Sequence, residues 1–301
     1  MPPILSRSKT APFPSRPHGS RAATIEVAPP YSLRRTLECG QVFRWTVNGS
    51  GAVGIFRGWR WSVRQHGRRI YLLEEAGLNA GRPGPRGLWQ HLAVDAPLSR
   101  VERALARDPI LRRILPHTTG IAVMRQDPWE CLVSFVISAF NNIPKIRLSV
   151  DHLCRRFGEP LPGGGFGFPS AARLAASRLP ALWACALGYR APYVRGVARA
   201  VADGTVELER LAILPYEEAR EALLAMPGVG EKVADCILLF ALGREEAFPV
   251  DVWVQRAVQG AYLRGRRFTP RAVGRWARDR FGPLAGYANQ HLFLAARSGL
   301  L

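Results

Sequence analysis

Leu224-Ala225-Met226-Pro227-Gly228-Val229-Gly230-Glu231-Lys232-Val233-Ala234-Asp235-Cys236 is the most informative segment of the chain. One helix is expected to end near Ala225, a tight turn to occupy Pro227 to Gly230, and a second helix to begin near Glu231. Proline cannot continue the first helix, and glycines at alternate positions permit backbone angles closed to other residues. They also let main-chain N–H groups approach a phosphate, to which the next helix N-terminus adds its dipole. A plain glycine-rich connection between two packed helices would read the same way.

The charge balance favours the phosphate. Of 301 residues, 42 are Lys or Arg and 23 are Asp or Glu, a formal net charge of +19. Such a field attracts a polyanion and makes binding salt-dependent. Nucleic acid is the first expectation and an anionic membrane surface the second. In this setting Pro227–Gly230 reads as a helix-hairpin-helix turn, which holds a DNA backbone without reading bases. The lysines are Lys9, Lys145 and Lys232, with arginine supplying every other basic side chain. An arginine bias of that size also follows from a GC-rich genome.

No apolar run approaches the ~20 residues a membrane helix needs, so no membrane is expected as partner. The cysteines (Cys39, Cys131, Cys154, Cys185, Cys236) are scattered, odd in number and without a CxxC pair. That argues against a disulfide framework, a zinc finger or an iron–sulfur cluster, and no metal ligands are assigned. A reducing compartment fits: cytoplasmic and nucleoid-associated in a bacterium, nuclear in a eukaryote. Residues 1–25 carry Arg7, Lys9, Arg16 and Arg21 with no acid, and read as a disordered basic arm. A transit peptide shares that composition but would need an arginine-rich amphipathic helix.

Val42–Val47, Ala52–Phe56, Trp59–Arg64 and Arg69–Leu73 are rich in β-branched and aromatic residues and separated by glycine turns. They predict an antiparallel meander, followed by a Gly/Pro-rich loop over Ala76–Gly87. Beyond about residue 96 the period becomes helical. Candidates are Leu98–Arg107, Pro109–Leu115, Pro128–Phe140 and Pro144–Phe157, then Pro169–Ser177, Leu179–Leu187, Tyr193–Ala202, Val206–Leu211 and Tyr216–Ala225. The expected class is α+β: an N-terminal antiparallel sheet domain (26–115), then an all-helical body (116–301) carrying the helix-hairpin-helix.

Lys232 makes an enzyme conceivable. It falls in the first turn of the second helix, where the positive end of the dipole disfavours a protonated amine. A neutral amine at the DNA surface could attack the anomeric carbon of a nucleotide, expel the base and leave a Schiff base. A lysine that simply contacts phosphate fits equally well. Asp251, 19 residues on in Phe248-Pro249-Val250-Asp251-Val252-Trp253, reads as the N-cap of a helix. It could also stabilise the cationic sugar that develops as the base leaves.

Pro227–Asp251, with Gly-Val-Gly-x-Lys and Pro-Val-Asp, resembles the helix-hairpin-helix/Gly-Pro-Asp DNA glycosylases, and more narrowly the 8-oxoguanine DNA glycosylases. Gly40-Gln41-Val42-Phe43-Arg44-Trp45 resembles that family's first strand. Arg125–Leu132 and Asn141-Asn142-Ile143 resemble its central helix and following loop. Leu187-Gly188-Tyr189-Arg190-Ala191 resembles its DNA-probing loop. The resemblance implies a bifunctional glycosylase/AP lyase that excises 8-oxoguanine from duplex DNA, as a monomer, with Lys232 the nucleophile and Asp251 the catalytic acid. It implies a lesion pocket of Gly40, Cys236, Phe240, Asn289 and Phe293, with the Gly40 carbonyl accepting the extra N7–H of the oxidised base. It implies DNA contacts at Asn142, Lys145, Tyr189, Arg190, Gly228, Gly230 and Trp253. It requires no cofactor and allows a monovalent cation at the hairpin.

Phe140 stands where eukaryotic members carry Asn, Lys145 where they carry Arg, and Trp253 where they carry His. The first two imply weaker preference for cytosine opposite the lesion. Three other readings remain: a monofunctional alkylpurine glycosylase, which shares the fold and the aspartate but needs no lysine; an adenine or pyrimidine glycosylase, which usually carries a C-terminal four-cysteine cluster where this chain has no cysteine after Cys236; and a non-catalytic DNA-binding module.

Overall fold

The computed structural model describes residues 23–77 and 83–301. The expected basic arm lies outside the described residues as far as residue 22. Its last residues belong to the sheet instead, because strand β1 (Thr24–Glu26) pairs with β5. The remaining strands are β2 (Trp45–Asn48), β3 (Gly51–Phe56), β4 (Trp59–His66) and β5 (Arg69–Gly77), giving the antiparallel order β1-β5-β4-β3-β2. Arg57 and Gly58 both hold positive φ (49° and 71°), the turn geometry that matches strand twist. The indole of Trp45 lies on Gly54, where a Cβ would come within 2.1 Å of it.

Expected strand Val42–Val47 begins only at Trp45, so Gly40–Arg44 is a loop. The expected loop over Ala76–Gly87 is shorter at both ends, taken up by the end of β5 and the start of a helix. Helices α1 (Leu33–Glu38), α2 (Gly84–His91), α3 (Leu98–Leu105) and α4 (Pro109–Thr118) accompany the sheet. From α2, His91 stacks on Phe56 at 3.9 Å between ring centroids. Its Nε2 takes the Trp45 indole N–H at 3.2 Å, and its Nδ1 lies 2.8 Å from the Arg125 carbonyl. The sheet is thereby joined to the chain that leads into the helical body.

That body comprises α5 (Pro128–Ile137), α6 (Ile143–Phe157), α7 (Ala171–Ala175), α8 (Leu179–Trp183), α9 (Ala191–Ala202) and α10 (Leu208–Leu211). It continues with α11 (Tyr216–Leu224), α12 (Glu231–Phe240), α13 (Val252–Ala261), α14 (Pro270–Phe281) and α15 (Ala285–Arg297). Asp127, Asn142 and Asp251 each cap a helix by accepting first-turn amides. Helix α5 is buried along its whole length from Cys131 to Ile137, as an all-round apolar helix must be. It stops three residues short of the expected Phe140: Ser138 is its C-cap, and Phe140 turns to φ +48°.

Phe135 of α5 meets Phe43 edge-on and Phe240 of α12 face-on, each at 5.5 Å, so α5 bridges the sheet-side loop and α12. Arg220 of α11 locks the two hairpin helices. Its Nε donates to Asp235 at 2.8 Å and its Nη2 to Glu231, both on α12. Gly286 lets α15 close on α12, since a Cβ there would meet Leu239 at 2.2 Å.

Candidate active site

The hairpin needs only one of its two glycines for backbone geometry. Gly228 holds φ +75°, and a Cβ there would lie 2.6 Å from Tyr193 of α9. Gly230 is extended (φ −98°), with open space where a Cβ would stand, so the expected closed angles do not apply to it. Gly230 is the N-cap of α12 and offers no side-chain acceptor to the first-turn amides. These orphan donors and the helix dipole suit a phosphate oxygen.

Lys232 follows in the first turn of α12. Its Nζ donates to Ser138 Oγ at 2.8 Å and lies 4.7 Å from the Phe135 ring centroid. One turn on, Cys236 is buried, and that burial pushes its thiol up to about 12, against the pull of the Lys232 charge. Asp251 caps α13 through Oδ1, which accepts the Val254 N–H at 2.8 Å. Burial raises its carboxyl above the usual range, while the Val254 N–H and the Lys232 charge pull it back down. The amine and the acid therefore feel one another, although the nearest hydrogen-bond partner of Lys232 is Ser138. Sequence reasoning missed Ser138, whose signal was a hydroxyl at the end of an apolar helix.

The expected pocket residues separate into two groups. Gly40 (φ +89°) sits against Ile143 and Phe293, each 3.1 Å from where its Cβ would be. Its place is fixed by the neighbouring Gln41, whose amide donates to the Thr36 and Ala122 carbonyls and accepts the Met124 N–H. Gln126 then ties the Gln41 carbonyl (2.6 Å) to the Phe240 carbonyl at the end of α12 (2.8 Å). The loop at Gly40 is thus braced against the helix that carries Lys232. Phe240 itself is core, stacked under Phe135. Asn289 is 2% exposed and engaged at both ends of its amide. Nδ2 donates to the Pro249 carbonyl at 2.7 Å, and Oδ1 accepts from Gln290 at 3.3 Å. Neither position supports an open contact with a base; Asn289 instead pins the turn before Asp251.

The expected DNA-probing residues do come together. Tyr189 is exposed and donates its hydroxyl to the Ala139 carbonyl at 3.2 Å. Arg190, only 5% exposed, donates Nε (2.8 Å) and Nη2 (2.5 Å) to the Ala139 carbonyl and Nη2 to that of Phe140 (2.9 Å). Its guanidinium is thus bonded within the protein, to the segment that follows α5. Phe140 is 99% exposed beside it. Asn142 caps α6 by accepting the Lys145 N–H, and both residues are exposed, as is Trp253 next to Asp251.

A glycine hairpin with a lysine in the first turn of its second helix, and a helix-capping aspartate that feels the charge of that lysine, is the arrangement of the helix-hairpin-helix DNA glycosylases. Residues 25–132 match the family described as 8-oxoguanine DNA glycosylase, N-terminal domain. A probable N-glycosylase/DNA lyase of Methanothermobacter thermautotrophicus is 36% identical over 218 residues, 64% of this chain and 69% of the relative. The N-glycosylase/DNA lyase OGG1 of Arabidopsis thaliana is 36% identical over 203 residues, and the chain spans 55% of its length. Among solved structures, the Clostridium acetobutylicum 8-oxoguanine glycosylase/lyase bound to duplex DNA with cytosine opposite 8-oxoguanine aligns with TM-score 0.83 and 30% identity. That alignment covers 90% of this chain and 93% of that one. MBOgg1 with a low-affinity DNA ligand aligns with TM-score 0.87 and 30% identity, over 94% and 98%. The chain belongs to the 8-oxoguanine DNA glycosylase family of the helix-hairpin-helix/Gly-Pro-Asp superfamily.

Proposed function

We propose that this protein is a bifunctional DNA glycosylase/AP lyase that removes 8-oxoguanine from duplex DNA, acting as a monomer. The observation that carries the reading is the placement of Lys232, in the first turn after the hairpin and within electrostatic reach of Asp251. The +19 charge and the orphan amides at Gly230 supply the hold on the DNA backbone. A monovalent cation at the hairpin would take main-chain oxygens of the same turn, where Val229 N–H closes on the Met226 carbonyl, and would add positive charge for a phosphate.

Extruding a base costs a few kcal/mol, least where the lesion already weakens stacking. The Nζ lone pair of Lys232 then forms a bond to C1′ as the C1′–N9 bond breaks, its electron pair leaving with the base. Asp251 stabilises the cationic sugar in that transition state. The nitrogen, now carrying two protons, loses one; its lone pair then breaks the C1′–O4′ bond, O4′ takes up a proton, and a protonated Schiff base results. Removal of a C2′ proton from it expels the 3′ phosphate and cuts the strand. The Gly40 carbonyl would accept N7–H of 8-oxoguanine; guanine, whose N7 is an acceptor, would leave that carbonyl unpaired. An unmade buried hydrogen bond of this kind costs about 1–3 kcal/mol.

Borohydride reduction during reaction with an 8-oxoguanine duplex should give a covalent protein–DNA complex, absent in Lys232→Gln. Wild-type protein that releases the base and never traps would exclude the amine. Release of methylated purines alone would move the chain to alkylpurine repair.

A further inference from the structure

The hydrogen bond that holds the Lys232 amine comes from a residue that neither the hairpin nor the aspartate explains. Ser138 is buried at the C-terminal end of α5, and its own hydroxyl proton goes to the Phe135 carbonyl at 2.7 Å. Its oxygen is therefore left to accept, and it accepts from Lys232 Nζ at 2.8 Å. The Phe135 ring face, 4.7 Å from Nζ, takes a second position around the nitrogen. Both groups belong to one helix, braced between Phe43 and Phe240. The Ser138 N–H is itself bonded to the Ser134 and Phe135 carbonyls, so the hydroxyl has little freedom to move.

Resting on the glycosylase/lyase reading above, we propose that Ser138 is a positioning residue for the nucleophile, fixing the direction in which Lys232 presents its remaining N–H or lone pair. A tetrahedral nitrogen with two positions facing α5 directs its last one away from that helix, and the Cys236 thiol of α12 also hydrogen-bonds the amine. Without the acceptor, the flexible lysine stem samples more rotamers, and an error of ~1 Å at a reacting atom can cost on the order of 100-fold. Ser138 is also one residue from Ala139, whose carbonyl is held by Arg190 and Tyr189. The amine acceptor and the DNA-probing loop are thus parts of one short rigid segment.

The test compares wild type, Ser138→Ala and Ser138→Thr on an 8-oxoguanine duplex. It reads single-turnover base release, borohydride-trapped complex per base released, DNA Kd and Tm. Ser138→Ala should release base about tenfold more slowly, which equals about 1.4 kcal/mol of barrier. It should also trap less complex per base released, because water competes at C1′ with a displaced amine. Its Kd should stay within about twofold. Ser138→Thr, which keeps the acceptor, should restore the trapping ratio. An Ala variant with the wild-type rate and ratio overturns the proposal. So does one that loses Tm and DNA affinity while the ratio stays unchanged, for that marks Ser138 as a helix end alone. Wild type that releases base without trapping overturns the amine reading and this proposal together; trapping by wild type with no effect in Ala overturns this proposal only.

Discussion

Asn289 on α15 donates its side-chain amide to the carbonyl of Pro249 at 2.7 Å, two residues ahead of Asp251. Helix α15 thereby fixes the turn from which the Asp251 carboxylate is presented. Asn289→Ala should leave a buried carbonyl unpaired, at a cost of about 1–3 kcal/mol, seen as a fall of several degrees in Tm. Base release should slow with it, while the Kd for a lesion duplex changes less than about twofold. A weakened Kd with unchanged Tm would show instead that Asn289 turns to meet the base.

Phe140 makes the opposite exchange. It is almost wholly in solvent at φ +48°, a conformation that aromatic residues rarely hold. Asn tolerates that conformation better, so Phe140→Asn should leave Tm unchanged or slightly raised. If the ring enters the gap left by an extruded nucleotide, the same variant should lose about tenfold in affinity for lesion duplex, since stacking on a base is worth about 1–3 kcal/mol. Fluorescence anisotropy against undamaged and lesion duplexes reads this directly. Equal affinity for the lesion duplex in the two proteins removes the ring from DNA contact.

The sheet and the helical body should part in acid at His91. Burial lowers this imidazole from 6.5 to about 4, and its Nε2 lone pair already accepts the Trp45 N–H. The folded state therefore keeps the ring neutral while the unfolded chain takes up a proton below pH 6.5. Stability from this group is complete above pH 6.5 and is lost as pH falls toward 4, by up to about 3 kcal/mol. His291, buried against Thr118 and lowered to about 4, adds a loss of the same sign. Denaturant unfolding from pH 7.5 to 4.5 should show the decline, and His91→Gln should make it shallower. A His91→Gln protein that declines as steeply as wild type refutes this assignment.

Much of this was legible because local chemistry matched the final structure. Asp251 looked like an N-cap and is one; Gly228 looked conformationally necessary and holds positive φ. The β-branched and aromatic runs between glycine turns marked the sheet, although Gly40–Arg44, held by Gln41 side-chain bonds rather than by strand pairing, could not be told from a strand. What the sequence left unread is which partner a side chain takes. Nothing in a string of letters says that Asn289 turns to Pro249, that Arg190 turns back to Ala139, or that Phe240 lies under Phe135. Those choices depend on packing across 40 or more residues of sequence. Ser138 escaped for the same reason, since its partner Lys232 is 94 residues away.

The Arg190 guanidinium grips the Ala139 and Phe140 carbonyls. The protein's own bonds thus hold the protruding tip at Phe140, and little conformational entropy is left to lose on contact. Search along undamaged DNA could then proceed with a stiff probe, and the deformation needed to open the helix would fall on the nucleic acid.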